Sequence, residues 1–490
     1  MTFIPMQMAY ADSAFSGGNG TKDDPYLITN ANDFKQLATE VNGGNNYSNT
    51  YFKIPETVTE TIELSTDDGY VPIGNDTNQF EGTFDGGNHT INLNLTGERL
   101  VGLFGEGGEN SNLCNIRTTG SVSMTGYYAG GIVANMYGNV VNCHNEASVT
   151  GYYHVGGIVG ISDNSKYIIN CSNSGAIVGN MNVGGIVGNI STLKVINCLN
   201  TGTVQGSSCG GIAGYSGLYS KIYNCINNGL VTKKSDGNYI GGLFGEKNGN
   251  NDAFGNCYYN GTINSEIGDF GRLTNNSEHY TVRDFAKTSE EIVSEDVLMS
   301  LNLYARANKP SDTQLLYWKA ENGIPVLTEE EPVFPYTITN NQPNYITVAA
   351  NAMADTSVEI KTDKIPAYLK LTKITVNDNE IKANSDGKYI FTMPKNDVTV
   401  DADFEFMLEK DSYDNYIVST DEELLILSKA VNDGYEAGNV VLTADVTAST
   451  ENGFEPIGTN DNPYKGNFNG KGHTVTLDIT SGTKYNSTVA

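Results

Sequence analysis

The chain is 490 residues long, with 57 Asp and Glu against 29 Lys and Arg and a formal net charge of −28. Such a surface repels phosphate backbones, which excludes nucleic acid as a partner. No stretch approaches the ~20 consecutive apolar residues of a membrane span, so membrane insertion within this chain is excluded as well.

Residues 1–11 end in Ala9-Tyr10-Ala11, the small-x-small form of a signal-peptidase site, after a short apolar run. They are read as the remnant of a signal peptide, which makes the protein exported: secreted or at the cell surface. Residues 12–96 are predicted to form an N-terminal cap and the first coils of a stacked fold. Phe34, Leu37, Ala38 and Val41 lie on one helix face, and Asn30 or Thr29 can cap that helix. A helix there covers the open end of a stack of strands, where edges and interior would otherwise meet water. Strands are expected near 51–54 and 61–64, followed by Pro72-Ile73-Gly74 and the segment 80–91.

Residues 97–264 repeat one pattern. Gly-Gly pairs start at Gly130, Gly156, Gly184, Gly210 and Gly241, spaced by 26, 28, 26 and 31 residues, with a looser copy at Val101-Gly102-Leu103-Phe104-Gly105. Each unit then carries Asn-Cys, at Cys143, Cys171, Cys198, Cys225 and Cys257, and Ile116 takes that place in the first copy. An apolar residue stands three before each Cys (Val140, Ile168, Val195, Ile222, Phe254), and a β-branched one stands six after (Val149, Ile177, Val204, Val231, Ile263). A period near 27 residues with short β-branched segments, broken by Gly and Asn, predicts a parallel β-helix solenoid. No such unit buries its own apolar face, so the units must stack. Glycine is expected to supply the positive φ and the close approach at the corners, and corner Asn residues a hydrogen-bonded ladder. A position that accepts Ile is interior, so the five cysteines are read as one structural ladder of buried free thiols. No Cys-x-x-Cys occurs and no His keeps the register, so neither a metal site nor a cofactor is expected.

Residues 265–330 are read as a C-terminal cap, with a helix near 288–305 and Trp318, the only Trp, in a small core. Residues 335–406 alternate apolar and polar positions, as in a small, mostly antiparallel β module. Residues 413–490 repeat the N-terminal block: Tyr416 onward matches Tyr26 onward at offset 390, and Pro456-Ile457-Gly458 matches Pro72-Ile73-Gly74 at offset 384. This predicts the start of a second β-helix, truncated at Ala490 in a protein that is longer by nature. The fold class is thus all-β dominated, with helical caps.

Gly102-Leu-Phe-Gly105, Gly156-Gly-Ile-Val-Gly160, Gly184-Gly-Ile-Val-Gly188 and Gly241-Gly-Leu-Phe-Gly245 resemble the GLUG-motif repeats of secreted and wall-attached bacterial proteins. Those include adhesin-like proteins and an immunoglobulin A peptidase family. The segment 389–400 resembles the end of a divergent internalin B-type repeat. The resemblance implies a scaffold at a bacterial surface and names no catalytic residue.

The residues themselves offer little chemistry. His-Glu-x-x-His is absent, and no nucleophile elbow or phosphate loop stands in context. Glu146 and Asp163 look isolated, where a glycan-cleaving site needs clustered carboxylates. Acidic loops at Asp67-Asp68 and Asn75-Asp76 are the places for Ca²⁺, without repeated Asp spacing to support it. Tyr127, Tyr128, Tyr152 and Tyr153 precede successive Gly-Gly units and are the binding candidates, as an aromatic strip for a host glycan or an extracellular protein. The expectation is a noncatalytic surface or secreted stalk and adhesin. The alternatives are the accessory region of a larger secreted enzyme, such as a peptidase, or a glycan-cleaving β-helix.

Overall fold

The computed structural model describes residues 15–163, 166–217, 219–234, 237, 239–248, 253–274 and 285–478. The signal-peptide reading of 1–11 falls outside them. The chain divides into two compact units, Met1–Pro332 and Val333–Ala490.

The first unit is a parallel β-solenoid. One sheet has nine strands in chain order, one from each successive coil, running from Tyr26–Leu27 to Ala253–Gly255. A second sheet of 23 strands wraps the remaining sides, and all of its pairings are parallel. A middle coil shows the plan: Asn139–Val141, His144–Asn145, Ser148–Thr150, Tyr153–Gly156 and Val159–Asp163. Leu113, Val140, Ile168, Val195, Ile222 and Phe254 stack in register. So do Val122, Val149, Ile177, Val204 and Val231, each at most 4% exposed. Each buried Val or Ile contributes roughly 1.5–3 kcal/mol, against roughly 1–2 kcal/mol of backbone entropy per ordered residue. With only a few such side chains per coil, only the continuous core stabilises the tube. Ile263, expected at the foot of the second ladder, is 42% exposed. The last turn runs wide there, and the buried Asn264 side chain instead accepts the Val231 N–H at 2.9 Å.

The five ladder cysteines are free and at most 1% exposed. Burial is the largest influence on all five thiols and opposes ionisation. Bonds from both neighbouring thiols work the other way on Cys171 and Cys225. Cys209 belongs to a different inward row, beside Val183. Cys114 is half-buried, and burial pushes its thiol up to about 12.

Two asparagine ladders flank the thiols. In the outer one each Nδ2 donates to the Oδ1 one coil back: Asn256 to Asn224, Asn224 to Asn197, Asn197 to Asn170, Asn170 to Asn142 and Asn142 to Asn115, at 2.6–3.3 Å. Asn115 ends the row on the Asp85 carboxylate at 2.9 Å. In the inner one the direction reverses: Asn145 donates to Asn173, Asn173 to Asn200 and Asn200 to Asn227, at 2.7–2.8 Å. Every outer-ladder Asn has positive φ, between 53° and 60°, whereas no Gly-Gly glycine does. Asparagine therefore turns the corner, a conformation its short polar side chain tolerates, and the glycines answer close approach instead. A Cβ on Gly157 would collide with the Gly185 carbonyl and the Asn173 side chain, and one on Gly185 with the Gly211 carbonyl and Asn200.

Helix α1, Ala31–Asn42, is capped by the Asn30 side chain and buries Phe34, Leu37, Ala38 and Val41 in the first coils of the same core. The 265–330 segment differs from a closing cap. Gly268–Thr274 and Ala286–Lys287 pair in parallel with the preceding coil and extend the stack. Helix α2, Glu295–Ala307, and the hairpin Tyr317–Glu321/Ile324–Thr328 lie against the outer Asn ladder. Trp318 is 2% exposed, packs with Leu199, Ile226 and Leu301, and donates its indole N–H to Asn197 at 2.7 Å.

The second unit contains a five-stranded sheet in which Tyr336–Asn340 pairs in parallel with Val398–Phe406 and the other pairings are antiparallel. Tyr416–Val418, helix α3 (Asp421–Asn432) and the strands up to Val475–Asp478 then begin another coil. Phe406 of the sheet, and Tyr368 just before its strand Leu369–Val376, share a core with Val418, Leu424 and Leu427 of that coil.

Candidate functional site

The tube's inward rows are closed, so any site lies on outward columns. One column reads Arg99, Tyr127, Tyr153 and Met181, in register on successive coils. The next holds Leu100, Tyr128, His154 and Asn182, all with φ between 52° and 68°. A left-handed residue here twists each strand just before its inward Val or Ala, which turns the preceding side chain outward. For residues this large the conformation costs roughly 1–2 kcal/mol each.

The four tyrosines come together, in the register set by the Gly-Gly spacing. Tyr127 stacks on Tyr153, not Tyr152, with ring centroids 5.3 Å apart and planes 7° from parallel. Tyr152 stands edge-on to Tyr153 at 4.6 Å, and Tyr128 faces His154 at 5.3 Å. Tyr127 and Tyr152 are 52% and 47% exposed. Since Tyr127 and Tyr153 use faces on each other, the patch offers ring edges and hydroxyl groups as much as flat faces. Burial lowers His154 to about 4, so it is a neutral ring at neutral pH, 3.2 Å from the Asn182 amide.

Arg99, absent from the sequence expectations, closes one end of the patch. Its guanidinium carbon lies 5.9 Å from the Tyr128 ring centroid, and Nη2 is 3.0 Å from Oδ1 of Asp76. Glu106 sits behind this pair. It is 4% exposed, its Oε1 accepts a 2.7 Å bond from Gln79, and its Oε2 is buried without a hydrogen-bond partner. Burial and the Asp76 charge push its carboxyl up, opposed by Gln79, Asn135 and Arg99. The one sequence signal for Glu106 was its recurrence as Glu246 after Gly-Leu-Phe-Gly. Glu146, which looked isolated, pairs with Arg117 at 3.2 Å and His144 at 3.1 Å. Asp76, considered for Ca²⁺, is committed to Arg99. Among the described residues no group of three or more His, Cys, Asp or Glu could hold a metal ion. No described helix is long and apolar enough to cross a membrane.

No family model matches the chain. Over 141 residues it is 33% identical to a provisionally named Gly-rich membrane protein of Evansella cellulosilytica, covering 27% of this chain and 16% of that protein. Over 155 residues it is 36% identical to halomucin of Haloquadratum walsbyi, covering 30% of this chain and 2% of that protein. The chain thus spans a small part of the curated relatives it matches. Among solved structures it is similar to a provisionally named immunoglobulin A1 protease of Bacteroides ovatus, with 20% identity, a TM-score of 0.45, and coverage of 65% of this chain and 96% of that one. The coil register, not that likeness, defines the architecture.

Proposed function

We propose that this chain is a noncatalytic repeat region displayed at, or released from, a bacterial surface, acting as a stalk and as an adhesin through its tyrosine patch. One observation carries the reading. The coils spend their inward chemistry on register, in Val/Ile, thiol and amide rows, while the exposed rings of Tyr127 and Tyr152 gather around the half-buried Tyr153. Tyrosines of this kind supply large contact area at low conformational-entropy cost. The names of the two relatives, a membrane protein and a halomucin, agree with a surface setting.

The test is an array of host glycans and extracellular matrix proteins probed with the purified chain. Binding is expected, with loss in the variant Tyr127→Ala, Tyr128→Ala, Tyr152→Ala, Tyr153→Ala. Retained binding in that variant removes the patch from the reading. Reducing ends released from any arrayed polysaccharide would make the chain an enzyme instead.

A further inference from the structure

The polar end of the tyrosine patch has a construction that contact area alone does not explain. Arg99 and Asp76 are each about half exposed, with side-chain exposures of 56% and 50%, yet stand 3.0 Å apart beside the Tyr128 ring. An exposed ion pair of this kind is weak because water screens it, so a ligand that satisfies both groups displaces it at little cost. A buried carboxylate oxygen with no hydrogen-bond partner, Glu106 Oε2, lies within the field of both Arg99 and Asp76. A buried acceptor left unmet carries a desolvation cost that a nearby positive charge offsets. The Arg99 charge therefore answers two carboxylates, Asp76 on the surface and the buried Glu106.

We infer that Asp76, Arg99, Tyr127 and Tyr128 form a subsite for a neutral saccharide, with Glu106 as the residue that positions Arg99 when the ligand takes its place on Asp76. This rests on the adhesin reading and gives it a ligand class. Two adjacent sugar hydroxyls offer a donor to the Asp76 carboxylate and an acceptor to the Arg99 fork, and the neighbouring rings bound the apolar face of the sugar. A neutral ligand fits because the chain's 57 acidic residues against 29 basic ones repel acidic glycans. Glu106 offsets the guanidinium charge, while Gln79 holds the carboxylate through Oε1 at 2.7 Å.

The experiment uses the full chain on an array of neutral and sialylated oligosaccharides, followed by calorimetric titration of the neutral hexasaccharide that gives the strongest signal. Arg99→Gln and Asp76→Asn are expected to weaken binding about tenfold or more, the loss of one charge-assisted hydrogen bond. Glu106→Gln is expected to weaken it less and to flatten its pH profile, since the groups acting on that carboxyl are Asp76, Arg99, Gln79 and Asn135. Trp318 fluorescence and thermal melting establish that each variant is folded. Neutral-glycan binding unchanged in both Arg99→Gln and Asp76→Asn overturns the subsite. If the tyrosine variants still abolish that binding, the adhesin reading survives. Binding confined to sialylated glycans or matrix proteins overturns the subsite in the same way. Absence of any binding overturns both.

Discussion

The molecule contains the same lead-in twice, at 26–93 and again at 416–477, and among the described residues only the first is followed by further coils. What survives in both is local. Asn42 donates to the Pro72 carbonyl, accepts from Gly74 N–H, and through its own carbonyl accepts from Asn78. Asn432 repeats all three with Pro456, Gly458 and Asn462. Before each helix one carboxylate gathers the preceding backbone: Asp33 accepts from Thr29 N–H at 2.7 Å, and Glu423 from Ser419 N–H at 2.6 Å. What does not survive is the depth of burial. Phe84 is fully buried in the first copy, and Phe468 is only partly buried in the second. Leu93 is 1% exposed and Leu477 is 42% exposed. Leu93 lies between Leu64 and Gly120 on flanking coils, whereas Leu477 pairs with Ala448 on one side and with nothing further among the described residues. Turns and caps are thus set by the sequence nearby, and strand burial by the next coil along.

The largest effect should come from the rings. Phe84→Ala should cost about 3–5 kcal/mol, and Phe468→Ala less than half of that. Trp318 fluorescence during urea unfolding reports the first unit, and hydrogen exchange reports the second. Equal losses would contradict the dependence on stacking. Next, Leu93→Ser should cost about 2–4 kcal/mol, while Leu477→Ser should fall within the ~0.5 kcal/mol typical of surface changes. Third, Asn42→Ala and Asn432→Ala should cost alike, about 1–3 kcal/mol each, because each strands the same buried partners. A large inequality would show that stacking reinforces the turns as well.

The pH dependences are smaller and of opposite sign. Burial opposes charge on Glu423, but bonds from Ser419 and Thr420 hold its carboxyl below the usual value. Its stabilisation is present above the unfolded pKa of about 4.3 and is lost as pH falls through the lower folded value. Acid should loosen α3 first, as faster exchange of its amides. Glu106 is raised by burial, so its contribution is present at low pH and lost as pH rises through the folded value. Glu106→Gln should therefore raise the melting temperature at pH 7 more than at pH 4.

Much of this was legible because the repeat puts like residues at like positions. Cys143 through Cys257, and Ile116 in their place, could only be one interior row. The rest needed three dimensions. Asparagine rather than glycine bends the outer corner, since Asn pays for φ > 0 with a side-chain bond to the next coil that Gly cannot make. The inner ladder at Asn145, Asn173, Asn200 and Asn227 was written two residues after the first four ladder cysteines, with Tyr259 in that place after Cys257, but its meaning depends on the Gly-Gly pair it presses against. Tyr127 and Tyr153 stand three residues before Gly130 and Gly156, so the 26-residue repeat already pairs them. That Tyr152 turns edge-on to Tyr153 and Tyr128 faces His154 is visible only in the structure. Arg99 carried no motif, and the recurrence of Glu106 as Glu246 gave no hint of Arg99, because their relation arises only when the coil is folded.

The two amide rows run in opposite directions, and each coil between the ends of a row both gives and takes one bond in it. A duplicated unit would therefore arrive with its donors and acceptors already matched to the units above and below it. The length of the stack becomes a quantity that recombination can change, in steps of about 4.8 Å per added coil, without redesign of either end.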